Sequence, residues 1–150
     1  MSKLFEIKNK INFILVSCYK FKNFNDVKTL VNEISNACNR YNSFKILIHN
    51  FSTQHLSPLH CVLIVEYFEN AGITKHHLIA LVNPVKDHPV KDQMDDKDKF
   101  LVTVAMNRGW DNIKIFAELD DAKQWLENQL PFKKEHEFVV IGPLRKEQYE

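Results

Sequence analysis

The spacing of hydrophobic positions changes repeatedly along the chain, and each change marks a boundary between a strand and a helix. Leu4-Phe5-Glu6-Ile7 alternates, Asn9-Lys10 has turn chemistry, and residues 11–19 are rich in β-branched and aromatic side chains, so an opening hairpin is predicted. Val27, Leu30, Val31, Ile34, Ala37, Cys38 and Tyr41 then recur at three- and four-residue spacing, the mark of one apolar helix face. Asn25 or Asp26 is placed to accept from the first free backbone amides of that helix. Residues 44–49, FKILIH, form a short continuous apolar run, which predicts a strand covered on both faces.

A second helix, 58–71, is bracketed by its own punctuation. Ser57 has N-cap chemistry, Pro58 occupies a position where a missing N–H is harmless, and Gly72 after Ala71 can take the left-handed conformation of a helix end. Between these bounds Leu59, Cys61, Val62, Leu63, Ile64, Val65, Tyr67 and Phe68 surround the axis. A helix apolar on nearly every side needs cover on nearly every side, so it is either central to the domain or has one face against a second subunit. Residues 77–82, HLIALV, read as another buried strand stopped by Asn83-Pro84. Residues 84–99 repeat Pro-Val-Lys-Asp and offer little to pack, which predicts an exposed loop. Asp95 or Asp96 can start a third helix carrying Phe100, Leu101, Val104 and Ala105 and ending at Arg108-Gly109, although Val102-Thr103-Val104 also suits a strand. Residues 112–116 are the next strand, and Asp120 starts a helix through Gln129 that buries Ala122, Trp125 and Leu126. The predicted unit is residues 1–130, with 131–150 as a tail whose Phe138-Val139-Val140-Ile141 suits an extra edge strand or an arm on a neighbour.

Hairpin, helix, strand, helix, strand, helix, strand, helix is an α/β order, and it predicts a mainly parallel sheet of four or five strands covered by about four helices. Within that order, Asn107-Arg108-Gly109, a strand ending at Phe116, Asp121-Ala122 and Trp125-Leu126 resemble the C-terminal signature of SpoIIAA-like proteins of the STAS superfamily. The resemblance spans residues 4–129 and rests on packing motifs. It implies a sheet ringed by helices, frequent homodimers and no shared catalytic machinery. In the anti-anti-sigma branch a serine at the N-terminus of the helix after the central strand is phosphorylated within an Asp-Ser-Ser-Gly-like motif. Ser57 is the match by position, but it stands in Leu56-Ser57-Pro58-Leu59, without the aspartate before or the glycine after. The superfamily's likeness to CRAL-TRIO lipid-transfer domains adds an apolar small molecule to the expected ligands.

Composition narrows the function further. The 150 residues are 45% hydrophobic and 26% charged, with a formal charge of +1, so no global field draws nucleic acid or membrane. Residues 1–45 carry eight basic and three acidic groups and residues 46–132 eight and twelve, a mild asymmetry expected of solvated surface charges. The segment 19–24, YKFKNF, is the best place for a small anionic surface; with no basic stripe behind the aromatic residues, no nucleic-acid partner is expected. Cys18, Cys38 and Cys61 are odd in number and sit in apolar patterns, which suits buried thiols in the cytoplasm. Residues 11–18 loosely resemble a lipoprotein cleavage site, but the apolar run is eight residues long and reads as a strand; no run is long enough for an integral membrane segment. Gly72, Gly109 and Gly142 are the only glycines, too few for a phosphate loop, and no cofactor is expected.

The candidate chemistry gathers near the second helix. His49, His55 and His60 flank one strand-to-helix junction and are candidate pocket or ligand residues, with a metal-dependent hydrolase as the enzymatic alternative. Their spacing matches no zinc motif, so no metal is assigned. His60 and Cys61 point about 100° apart on a helix and do not pair as base and nucleophile. The expectation is a non-enzymatic domain that works by interaction or by binding a small apolar ligand, as a homodimer through the helix 58–71, with a regulatory protein as a further expected partner. The alternative is a phospho-switch with Ser57 as acceptor.

Overall fold

The structure is a computed structural model that describes residues 4–21, 23–52, 58–83 and 96–129, without the side chains at 58 and 96–98. Residues 84–95 of the loop expected at 84–99, the tail from 131, and the candidate residues His55 and Ser57 lie outside the described residues, while residues 96–99 of that expected loop are helical. The elements are β1 (Phe5–Asn9), β2 (Ile14–Cys18), α1 (Asn25–Tyr41), β3 (Lys45–Asn50), α2 (Pro58–Asn70), β4 (Leu78–Val82), α3 (Asp96–Asn107), β5 (Ile113–Phe116) and α4 (Leu119–Asn128). They form one five-stranded sheet in the order β1-β2-β3-β4-β5, antiparallel only between β1 and β2. The mixed α/β architecture with a mainly parallel sheet is the one the element order implied.

Strand order follows chain order, so crossovers of one hand place α1, α2 and α3 on the same face. Their core joins Ile46, Ile48 and Ile79 of the sheet to Leu30, Val31 and Ile34 of α1 and Val65 and Phe68 of α2. α4 turns to the other face, where Ala122 and Leu126 meet Phe13, Leu47, Ala80 and Val82. Both faces of β3 and β4 are therefore covered, which accounts for their continuous apolar sequence.

The ends of α2 and α3 are built alike. Gly72 (φ 91°) and Gly109 (φ 86°) take positive φ, a conformation that side chains resist. The next residue reaches back over its helix end: Ile73 N–H donates to the Phe68 carbonyl at 3.0 Å, and Trp110 N–H to that of Ala105 at 2.9 Å. Ile73 and Trp110 are buried after this turn, so a positive-φ glycine followed by a buried apolar residue both ends each helix and anchors it to the core.

Three local expectations are corrected. The hairpin strand begins at Ile14, because the Asn9–Ile14 pairing and the Lys10 N–H bond to the Phe13 carbonyl (2.8 Å) leave Ile11 wholly exposed at the tip. At the start of α1 the capping oxygen belongs to Asn23, not to Asn25 or Asp26. Its Oδ1 accepts from the Asn25 amide at 2.9 Å, while the Asp26 carboxylate accepts from the Asn23 amide at 3.3 Å. The two residues thus satisfy each other's neighbouring backbone, as in a capping box. Asp120 does not cap α4; the N-cap position is Glu118, with no side-chain bond, and Asp120 and Asp121 instead lie in the first turn, where negative charge is favoured.

A candidate apolar pocket at the ends of the strands

α2 packs beside α1 and α3, and its backbone stands off from every strand. It is held sideways. The Ser35 hydroxyl of α1 donates to the Ala71 carbonyl at 2.6 Å. On the other flank Arg108 bridges Glu69 at 2.9 Å and Glu66 at 3.2 Å, and the Trp110 indole N–H donates to Glu69 at 3.1 Å. Because these ties fix the helix from its neighbours, its side chains do not fill all the space down to the sheet.

A cavity of ≈ 170 Å³ remains there. Ile48, Ile79, Leu81 and Ile113 form its floor on the sheet. Leu30, Val31 and Ile34 of α1 and Ile64, Val65 and Phe68 of α2 form its walls. Leu101 and Trp110 close the side toward α3. An engineered cavity of about 150 Å³ with a comparable aliphatic and aromatic lining stays dry and takes up benzene or xenon. Space of this size and polarity favours an apolar guest over water.

The rim lies at the C-terminal ends of β2, β3 and β4. It is formed by Asn50 and Asn83 with Ser52, His60, Phe21 and Phe24. Asn50 follows Ile48 by two residues and Asn83 follows Leu81 by two, so strand alternation aims both carboxamides to the pocket side. Asn50 Nδ2 donates to Asn83 Oδ1 at 2.8 Å, and Asn50 Oδ1 accepts from the Ser52 amide at 3.0 Å. Phe24 and His60 stack face to face at 4.2 Å, 10° from parallel, linking the first turn of α2 to the start of α1. Among the described lining residues none carries a carboxylate, ammonium or guanidinium group.

His49 and His60 do not share a site. His60 lines the pocket, whereas His49 alternates with Ile48 and lies on the α4 face, stacked on Phe51 at 4.1 Å. Burial, and then the positive charge of Lys123, lower the His49 pKa from its ordinary value. Among the described residues no three His, Cys, Asp or Glu side chains are grouped to hold a metal ion. Cys18, Cys38 and Cys61 are buried free thiols. Burial pushes Cys18 and Cys38 up to about 12, far from nucleophilic range. Among the described residues no helix is long and apolar enough to cross a membrane.

The pocket residues that the pattern reading passed over are Asn50, Asn83 and Trp110. A signal existed: the apolar strands LIHN and LVN both end in asparagine, a polar pair at matching ends of adjacent strands.

Fold and site together define an α/β domain with a small, largely apolar pocket among the described residues of its three-helix face. No family model matches the chain, and no curated protein matches it. Among solved structures it is similar to "NMR Structure of the protein TM1081", with a TM-score of 0.48 and 14% identity over 86% of this chain and 93% of that one.

Proposed function

We propose that this chain is a non-enzymatic, SpoIIAA-like binding domain that holds a small apolar molecule between α2 and the sheet. The observation that carries the reading is the ≈ 170 Å³ cavity with its aliphatic and aromatic lining. A binding role is favoured over catalysis by the state of the reactive side chains: Cys18 at the pocket has a thiol pushed up to about 12, and the His60 ring is occupied in a stack with Phe24. A guest of this size gains affinity from area alone. A dissociation constant on the order of 0.1–1 mM corresponds to about −4 to −5.5 kcal/mol, within the ceiling for so few atoms.

Thermal unfolding with benzene, toluene and indole tests the reading. At tenfold excess over the dissociation constant a ligand stabilises by about 1.4 kcal/mol, which raises Tm by about 3–6 °C. A panel in which no compound raises Tm contradicts it.

The homodimer belongs to the same proposal. Leu59 is 64% exposed at the start of α2, and Val62 and Leu63 are only partly covered on its outer face. Sedimentation at micromolar concentration is expected to give twice 17.7 kDa, and a clean 17.7 kDa species removes the dimer while leaving the pocket reading intact.

A further inference from the structure

We infer that Glu69 is a positioning residue of this pocket: its carboxylate holds the Trp110 indole in place as the wall that limits how large a guest the cavity accepts. The inference rests on the pocket being a binding site and adds what sets its size selectivity.

Trp110 lines the cavity, is 4% exposed, and packs in one cluster with Phe68, Leu101 and Ile113, its ring centroid 6.4 Å from that of Phe68. It precedes β5, so it stands at the N-terminal end of the strands, away from the rim at Asn50 and Asn83. An indole carries one polar atom, and when buried that N–H needs an acceptor. Glu69 supplies it: Trp110 Nε1 donates to Glu69 Oε2 at 3.1 Å. A charge-assisted bond thus fixes how the ring is turned against the cavity.

The carboxylate is itself held. Arg108 Nη1 donates to Glu69 Oε1 at 2.9 Å, and Arg108 Nη2 donates to Glu66 Oε2 at 3.2 Å. The positive φ of Gly109 turns the chain between Arg108 and Trp110, so both reach one carboxylate, Arg108 from the surface and Trp110 from the core. The Arg108 and Glu69 side chains are 35% and 34% exposed, where an ion pair contributes little to stability. Its contribution here is orientation: with Oε1 taken by the guanidinium, Oε2 faces the indole. Deprived of that acceptor, the indole N–H is satisfied only by turning toward water, and the turn carries the ring off the cavity and lengthens the space toward α3.

Titration of the full chain with toluene and naphthalene, one ring against two fused rings, reads the position of this wall. The unaltered chain is expected to bind toluene more tightly than naphthalene. Glu69→Ala should raise the ratio of naphthalene to toluene affinity by at least about fivefold, the scale of one hydrogen bond. Glu69→Gln keeps an acceptor for the indole and should leave the ratio within about twofold of that of the unaltered chain. In a Trp110→Phe background, where no N–H remains to be held, Glu69→Ala should leave the ratio unchanged, an outcome that a general loosening of α2 would not give. Should Glu69→Ala fail to fold, Glu69→Leu, which keeps bulk without an acceptor, takes its place. Naphthalene bound as tightly as toluene by the unaltered chain, a ratio unmoved by Glu69→Ala, or an equal change in the Trp110→Phe background overturns the role of Glu69, while toluene binding keeps the pocket. Absence of binding by both probes overturns the pocket as well.

Discussion

The two faces of the sheet are packed on opposite plans. On one, α4 alone presses its Ala122 and Leu126, both 0% exposed, onto Leu47 and Ala80, and the smallness of the two alanines lets helix and sheet approach closely. On the other, three helices carry larger side chains and tie to each other, through Ser35–Ala71 and Arg108–Glu66/Glu69, so that α2 is supported from its flanks and a cavity survives beneath it. The lesson is that a helix fixed by its neighbours can leave room at a sheet, whereas a helix fixed by the sheet cannot.

The largest test of that contrast is Leu126→Ala. Truncating a fully buried leucine in the tight layer removes its transfer free energy and opens a void, so urea unfolding should show a loss of about 3–5 kcal/mol. A loss below about 1 kcal/mol means that the α4 face is not close-packed.

Next come two enlargements, one on each face. Ala122→Leu forces extra atoms into the tight layer and should lower stability by about 1–3 kcal/mol. Leu81→Phe adds atoms at the pocket floor, where space exists. It should leave stability within about 1 kcal/mol and weaken probe binding by at least about tenfold. Equal destabilisation by both breaks the comparison.

How much of this was legible in the chain depends on the kind of signal. The period of the apolar residues located α1, and Gly72 and Gly109 marked where α2 and α3 stop, because periodicity and left-handed turns are local properties. The all-round apolarity of α2 also had a local reading: it is flanked on two sides, so a one-sided stripe would not suffice. His49 and His60 were grouped by nearness in sequence, and the structure parts them. One step along a strand reverses the face, which sends His49 to α4 and leaves Asn50 at the pocket. The cavity was not legible at all, since it depends on how far α2 is held from the sheet by partners distant in the chain.

Thiol chemistry gives a smaller readout of the three-helix face. With Cys18 and Cys38 pushed up to about 12, labelling by a thiol-reactive dye at pH 8 should be slow in the folded protein and accelerate by more than about a hundredfold on unfolding. Fast labelling of the folded protein contradicts their burial.

The smallest effect is a pH dependence from His77. Its Nδ1 accepts from the Thr74 amide at 3.1 Å, and burial, its largest influence, lowers its pKa below the ordinary 6.5. The unfolded chain then binds the proton more readily than the folded one. Its contribution is complete above pH 6.5 and is lost as pH falls from 6.5 through the lower folded value. His77→Gln should flatten that part of the stability profile, and an unchanged slope assigns it to other groups.

The central claim is that the space between α2 and the sheet is open, apolar and confined to that face. Diffraction from crystals held under xenon gas examines it directly. The account predicts one xenon site bounded by Val31, Val65, Ile79 and Ile113, with none beneath α4. An empty space there, or ordered water filling it in place of xenon, contradicts the account.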